Sequence, residues 1–229
     1  MTAIPAIATV IPAAGVGKRM KADKPKQYLP LCGVTVLEQT LRRLKQVPAL
    51  QQFYLALSPD DPYFPTLPLA TDPDIQRLDG GAERANSVLN ALGQIDATAF
   101  PWVLVHDAAR PVVRVSDIEL LIGSCIEAGQ GGILATPVRD TMKRGSDTVG
   151  HTVDRADLWH AYTPQLFPTA LLRDSLQRAL AQGVAITDEA SAMEWAGLPV
   201  LLVQGHADNI KITQAEDLAL AAFYLEHSV

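Results

Sequence analysis

The chain has 229 residues, with 19 Lys and Arg against 25 Asp and Glu, and a net charge of −6. Hydrophobic residues at 48% and charged residues at 19% exclude disorder as the main state, and the length suits one domain of ordinary size. Pro12, Pro48, Pro101 and scattered charges cut every apolar run short of the ~18 residues a membrane span needs, and an acidic chain without a basic face is a poor partner for nucleic acid. The N-terminus lacks a basic region before its apolar residues, which argues against a signal peptide. Cys32 and Cys125 stand far apart in the sequence, so neither a disulfide framework nor a thiolate metal cluster is expected, and the cytoplasm is the expected location.

Taken in chain order, Ala6–Ile11 reads as a strand buried on both faces. Thr35-x-x-Glu38 forms a capping box ahead of a helix with Leu37, Leu41 and Leu44 on one face. Phe53–Leu57 is the next strand, followed by a Pro-rich loop through Pro68 and a short strand at Ile75–Leu78. Gly80-Gly81 then leads into a helix over Glu83–Leu92. Trp102–His106 is a further buried strand, and Ser116-x-x-Glu119 opens a helix with Ile118, Leu121, Ile122, Cys125 and Ile126 inward. Gly132–Thr136 returns to the sheet.

The stretch 137–157 breaks this rhythm. Asp140–Arg144 and Thr148–Val153 flank Gly145-Ser146-Asp147 as a β-hairpin, and the stretch carries Arg139, Lys143, Arg144 and Arg155 and few large apolar residues. An arm that cannot build its own core either lies on another surface, such as a second subunit, or is a floppy surface hairpin; the pattern alone favours neither. Helices at Thr169–Ala181 and Asp188–Trp195 follow, then short strands at Leu198–Val203 and Asn209–Ile212. Thr213-x-x-Glu216 caps a last helix running to Tyr224. The alternation implies an α/β fold, a Rossmann-like mostly parallel sheet with helices on both faces, plus a protruding β-hairpin arm. One domain is expected over residues 1–229.

Charge is concentrated after the first strand. Residues 18–26 hold Lys18, Arg19, Lys21, Lys24 and Lys26 against Asp23 alone, so nine residues carry +4 and the remainder −10. This run follows Pro12-Ala13-Ala14-Gly15-Val16-Gly17, where small residues let backbone N–H groups approach phosphates. The spacing is too short for a Walker A loop, and Met20 stands where a dinucleotide fingerprint needs a small residue. A cation-rich turn at the C-terminal end of a parallel strand is therefore an expected polyphosphate trap.

The same segment, continued by Pro25-Lys26-Gln27-Tyr28-Leu29, resembles the nucleotidylyltransferase signature. Further blocks resemble the 2-C-methyl-D-erythritol 4-phosphate cytidylyltransferase family. They are Asp79-Gly80-Gly81-x-Glu83-Arg84-x-x-Ser87-Val88, Val105–Pro111, Pro137–Lys143, Thr163-Pro164-Gln165, Thr187–Ser191 and Ala207–Lys211. They occur in family order over nearly the whole chain.

The resemblance implies transfer of CMP from CTP to the phosphate of methylerythritol phosphate, with release of pyrophosphate. Such a reaction depends on positioning and charge neutralisation rather than a covalent intermediate. Arg19 and Lys26 match the family's transition-state stabilisers, and Arg155 and Lys211 its nucleophile-orienting cations. Ala13, Ala14, Gly15, Gly17, Arg19, Lys26, Gly81, Ala82, Ser87 and Asp107 match its CTP-binding positions. Ala82 stands where some relatives have Asp, so a contact there falls to the backbone. Asp107, at a strand end where an Asp also commonly caps a turn, matches the Mg²⁺ contact, and His106 beside it reads as structural. Arg110, Thr141, Arg155, Thr163, Asp208 and Lys211 match acceptor-binding positions. Thr141 and Arg155 lie on the arm, which in the family completes the neighbouring subunit's site and so implies a homodimer. Two alternatives share parts of this reading. One is a cytidylyltransferase for another polyol phosphate such as ribitol 5-phosphate. The other is a non-catalytic nucleotide-binding regulator, against which stand the intact Arg19, Lys26 and Asp107.

Overall fold

The computed structural model describes residues 4–15 and 23–227. Their frame is a seven-stranded sheet in the order β11-β7-β10-β6-β1-β4-β5. These strands are β1 (Ile7–Pro12), β4 (Leu50–Leu57), β5 (Ile75–Asp79), β6 (Trp102–Val105), β7 (Gly132–Pro137), β10 (Trp159–Pro168) and β11 (Leu201–Gln204). All neighbours run parallel except β10, which is antiparallel to both β6 and β7. β1 sits between β6 and β4, and its apolar run supplies both faces, as a central parallel strand must.

Period-two alternation divides the core. Ile7 and Ile11 point to α1 (Val36–Leu44) and α3 (Val115–Ala128), where Leu37, Leu41, Leu44, Ile118, Leu121 and Cys125 are buried. Ala8 and Val10 point the other way, to α2 (Arg84–Leu92), α4 (Thr169–Ala181) and α5 (Glu189–Trp195), through Val88, Leu92, Leu172, Leu176 and Met193. Each of the fully buried leucines of α1 contributes roughly 2 kcal/mol of transfer free energy. The last helix, α6 (Glu216–His227), packs through Ala221 on Leu31, Val36, Val112 and Ile212.

The expected capping box of α1 is present: Glu38 N–H donates to Thr35 Oγ1 at 3.2 Å, and Thr35 N–H donates to Glu38 Oε2 at 2.8 Å. The expected arm is present as an antiparallel hairpin of β8 (Met142–Gly145) and β9 (Val149–Val153), with almost every residue exposed.

Four expectations need correction. Asn209–Ile212 is not a strand; the segment is held by individual bonds such as Ile212 N–H to the Ala109 carbonyl at 2.8 Å. Ser116 does not cap α3, which opens at Val115 behind Arg114 with no side-chain cap. Thr213 pairs with Asp217 rather than Glu216, because the Asp217 carboxylate accepts from Thr213 N–H and Oγ1–H and from Gln214 N–H. The Pro-rich loop contains two 3₁₀ turns, Phe64–Thr66 and Pro68–Thr71.

Two features were not anticipated. One is the strand β10. The other is a small ribbon of β2 (Pro30–Leu31) and β3 (Val34–Thr35), turned by Cys32 and Gly33, both at positive φ as a tight two-residue hairpin requires.

Candidate active site

The C-terminal ends of β1, β5 and β6 converge on a cleft of about 230 Å³. Beyond Pro12 the ladder continues for one residue, with Ala13 N–H bonded to the Ala56 carbonyl at 2.8 Å, after which Ala14 and Gly15 line the opening. Gln27, buried in the 3₁₀ turn Lys26–Tyr28, donates its amide to the Ala13 carbonyl at 2.7 Å and so ties that turn to the end of β1. Lys26 enters the cleft beside it, and its ammonium donates to the Ile212 carbonyl at 2.8 Å. Gly17 and Arg19, like Lys18 and Lys21 of the basic run, lie outside the described residues.

The opposite wall is the turn between β5 and α2, with Gly81, Ala82 and Ser87 all on the lining. Ser87 is buried; its hydroxyl accepts from Gly81 N–H at 2.9 Å and donates to the Glu83 carbonyl at 3.2 Å. Its observed work is to close this turn. Gly80 and Gly81 are required here by space. A Cβ on Gly80 would stand 2.5 Å from Ala14 Cβ, and one on Gly81 2.3 Å from Asn86 Cβ.

Asp107, just past β6, forms the floor. Arg84 Nε lies 3.1 Å from its Oδ1, while Lys211 Nζ at 2.7 Å and Arg110 Nε at 3.7 Å approach Oδ2. Burial alone would raise the pKa of this carboxyl, but the three cations, Arg84 foremost, hold it well below the ordinary range. Asp107 is therefore a fixed anion. Arg84, Asp107 and Lys211 also wall a second cleft, lined by Arg110, Tyr162, Thr163, Gln165 and Asp188 among others. Two openings thus share one charged partition.

Behind the partition runs a buried chain of hydrogen bonds. Asp107 N–H donates to Thr163 Oγ1 at 3.0 Å, the Thr163 hydroxyl lies 3.1 Å from His106 Nδ1, and His106 Nε2 lies 3.0 Å from the Arg110 carbonyl. The carbonyl can only accept, which assigns the proton to Nε2 and makes Nδ1 the acceptor of the Thr163 hydroxyl. Full burial drives the His106 pKa down to about 4, so the ring is neutral. The structural reading of His106 fits this placement.

Of the expected acceptor residues, Arg110, Thr163 and Lys211 line the second cleft. Asp208 accepts from Arg114 Nε at 2.9 Å, and its Oδ1 is buried with no protein partner among the described residues. The next residue, Asn209, anchors the loop through Nδ2 to the Thr163 carbonyl at 2.9 Å and receives Arg110 Nη1 on its own carbonyl at 2.6 Å. Thr141 and Arg155 are exposed on the arm and line neither cleft.

Two charged residues, Arg84 in the partition and Glu189 behind it, carried no role in the sequence reading, although both sit in family-like blocks. Arg84 donates from both terminal nitrogens to Glu189, at 2.7 and 3.0 Å, and Glu189 is buried at the start of α5. The signal was their charge at positions that the apolar pattern buries.

Residues 7–227 match the family model described as 2-C-methyl-D-erythritol 4-phosphate cytidylyltransferase. The enzyme of that name from Vibrio atlanticus is 55% identical over 229 residues, covering 99% of this chain and 98% of the relative. Its counterpart from Vibrio vulnificus is 58% identical over 223 residues, covering 96% of this chain and 94% of the relative. The crystal structure of a 4-diphosphocytidyl-2C-methyl-D-erythritol synthase superposes with a TM-score of 0.84 at 37% identity, covering 96% of this chain and 98% of that one. The chain belongs to the 2-C-methyl-D-erythritol 4-phosphate cytidylyltransferase family.

Proposed function

We infer that the protein transfers the cytidylyl group of CTP to 2-C-methyl-D-erythritol 4-phosphate, releasing pyrophosphate. The observation that carries this reading for the site is the pair of clefts separated only by Arg84, Asp107 and Lys211. One is bounded by small residues and backbone, as a nucleotide requires; the other is bounded by cations and hydroxyls, as a polyol phosphate requires. An acceptor phosphate oxygen attacks the α-phosphorus, a new P–O bond forms, and the bridging bond to the β-phosphate breaks. The electron pair leaves on pyrophosphate.

CTP occupies the first cleft. The backbone of Ala13, Ala14 and Gly15, together with Gly17, receives the triphosphate, and Gly81 and Ala82 face the base through their backbone while Ser87 holds their turn shut. Lys26 and Arg19 neutralise charge that develops in transfer, an effect worth most where the cations are already positioned. The acceptor phosphate is itself an anion and needs no general base to expose a lone pair. This agrees with His106 being neutral and committed to internal hydrogen bonds. Arg110 and Lys211 hold the acceptor phosphate at the partition, and Thr163 offers its hydroxyl to the polyol; Asp208 is assigned to the acceptor by the family resemblance, since it lines neither cleft and its Oδ1 is buried.

Asp107 suits a hard divalent cation. It is an ionised carboxylate on the lining of the nucleotide cleft, and its Oδ1 meets one cation, Arg84, through Nε alone at 3.1 Å. Mg²⁺ commonly takes one or two carboxylates and completes its shell with phosphate and water. When bound, the ion would supply further neutralisation of the triphosphate.

Thr141 and Arg155 complete the site from the arm of a second subunit. The exposed Met142 and Val149 on that hairpin support a covering partner. No helix of the described residues is long and apolar enough to cross a membrane. We place the reaction in the cytoplasm, where the free Cys32 and Cys125 stay reduced.

The test is pyrophosphate release from CTP and Mg²⁺ with methylerythritol phosphate and ribitol 5-phosphate in parallel, with mass identification of the product. Preference for methylerythritol phosphate is expected. Preference for ribitol phosphate would keep the chemistry and change the acceptor.

A further inference from the structure

We propose that Arg84 and Glu189 are positioning residues that keep Asp107 open to a divalent cation; this rests on the reading of Asp107 as the metal contact. The guanidinium has a bidentate edge of two terminal nitrogens and a side nitrogen, Nε. Here the bidentate edge is turned away from the cleft: Nη1 and Nη2 meet Glu189 Oε1 and Oε2 at 2.7 and 3.0 Å. Only Nε reaches Asp107, at 3.1 Å from Oδ1. A planar fork favours bidentate pairing with a carboxylate, so the choice of partner for that edge matters.

Glu189 lines neither cleft and is only 1% exposed. Its backbone is held independently of Arg84, and its carboxylate meets the Arg84 fork. Asp188 and Ser191 form a reciprocal cap at the start of α5, and Gln165 of β10 accepts from Ala190 N–H at 2.9 Å while donating to Asp188 at 2.9 Å. The buried carboxylate, carried on this anchored helix start, thus takes the fork that would otherwise face Asp107. Without it, the fork is free to turn and cover both Asp107 oxygens, one of which already carries Lys211 and Arg110. The anion would then be spent on protein cations and lost to the metal.

Charge gives the second half of the inference. Arg84, Arg110 and Lys211 against Asp107 and Glu189 leave this ion-pair network with one net positive charge. Removing the Glu189 charge raises it to two, which favours a tetra-anionic nucleotide that arrives without metal. Loss of Glu189 therefore acts in opposite directions on metal-free and metal-assisted binding.

The experiment is calorimetric titration of CTP into the full chain, without acceptor, in EDTA and in saturating Mg²⁺. For Glu189→Gln the gain in affinity on adding Mg²⁺ falls on the order of tenfold, as is usual when a residue behind a metal ligand is lost. Its affinity in EDTA is unchanged or higher. Arg84→Lys keeps every formal charge but cannot span both carboxylates; it loses the Mg²⁺ gain without the increase in EDTA, and it serves equally if Glu189→Gln does not fold. A wild-type Mg²⁺ gain in the folded variants overturns the proposal, and so does an equal loss of affinity with and without metal, which would mark a damaged cleft. Asp107→Asn separates the two readings. If it abolishes the Mg²⁺ gain while Glu189→Gln retains it, only the positioning role fails. If Asp107→Asn keeps the gain, Asp107 is not the metal contact and both fall.

Discussion

Lys26 and His106 show how differently two charged-type side chains can serve one cleft. The Lys26 ammonium rests on the Ile212 carbonyl, one residue beyond Lys211, so it stands at the junction of the nucleotide cleft and the acceptor loop. Its charge matters most when the α-phosphorus is in flight. Lys26→Ala is expected to lower kcat by about two to three orders of magnitude while CTP affinity changes by less than about tenfold. Steady-state kinetics beside calorimetric CTP binding checks this; loss of affinity with unchanged kcat would remove Lys26 from the transition state. His106 works through neutrality instead. Its folded pKa of about 4 lies below its ordinary 6.5, so on acidification the unfolded chain takes up the proton first. Stability is then lost as pH falls from 6.5 to 4, by roughly 3 kcal/mol in all. Asp107 adds a further loss, confined to pH below its ordinary 3.8. His106→Gln, which has no titration in this range, should flatten the slope of denaturant-derived stability between pH 6.5 and 4; an unchanged slope would assign the acid sensitivity elsewhere. Asp107 was legible in the sequence because it ends a buried strand beside small residues, and Lys26 because it closes the basic run within the family-like segment Pro25–Leu29. Arg84 and Glu189 lay inside family-like blocks, but they are 105 positions apart, and only the fold shows that they meet.

At the scale of elements, the turn between β5 and α2 is squeezed from two sides. Gly80 abuts Ala14 of the phosphate-facing loop, and Gly81 abuts the first turn of α2. The blocking atoms are short side chains and backbone, so a methyl group cannot be accommodated by a rotamer change. Gly80→Ala and Gly81→Ala are each expected to weaken CTP binding on the order of tenfold or more, the usual scale of overpacking. Wild-type CTP affinity in a folded variant would mean the turn does not shape the nucleotide cleft. Parallel strands that are apolar on both faces, such as β1, β6 and β7, declared themselves by composition, and the helices between them by spacing. β10 did not. Its first half, Trp159–Tyr162, mixes polar and aromatic residues, the register shifts between Ala161 and Gln165, and it runs against its neighbours where the alternating pattern suggests only parallel strands. The 209–212 loop misled in the other direction: Ile212 is buried and lends its carbonyl to Lys26, and Asn209 lends its own to Arg110, in place of a ladder.

At the scale of the whole molecule, the arm is the element that the single chain leaves without purpose. β8 and β9 pair with each other but join no other sheet, and Val149 is 64% exposed at the hairpin. The two clefts are built by one chain, whereas Arg155 is reached only along the arm. If the arm serves a second copy, the two contributions to each site come from different subunits, and they can be separated genetically. Arg155→Ala and Lys26→Ala subunits, each inactive as a homodimer, are to be joined as a purified heterodimer through distinct tags. One site then combines the intact Lys26 cleft of one subunit with the intact Arg155 arm of the other, while its twin carries both lesions. About half the wild-type activity per heterodimer is expected from a symmetric exchange. An arm that folds back on its own cleft gives a different result: each site keeps a single lesion, and the heterodimer stays as inactive as its parents. Complementation therefore reads out which subunit's Arg155 each cleft uses.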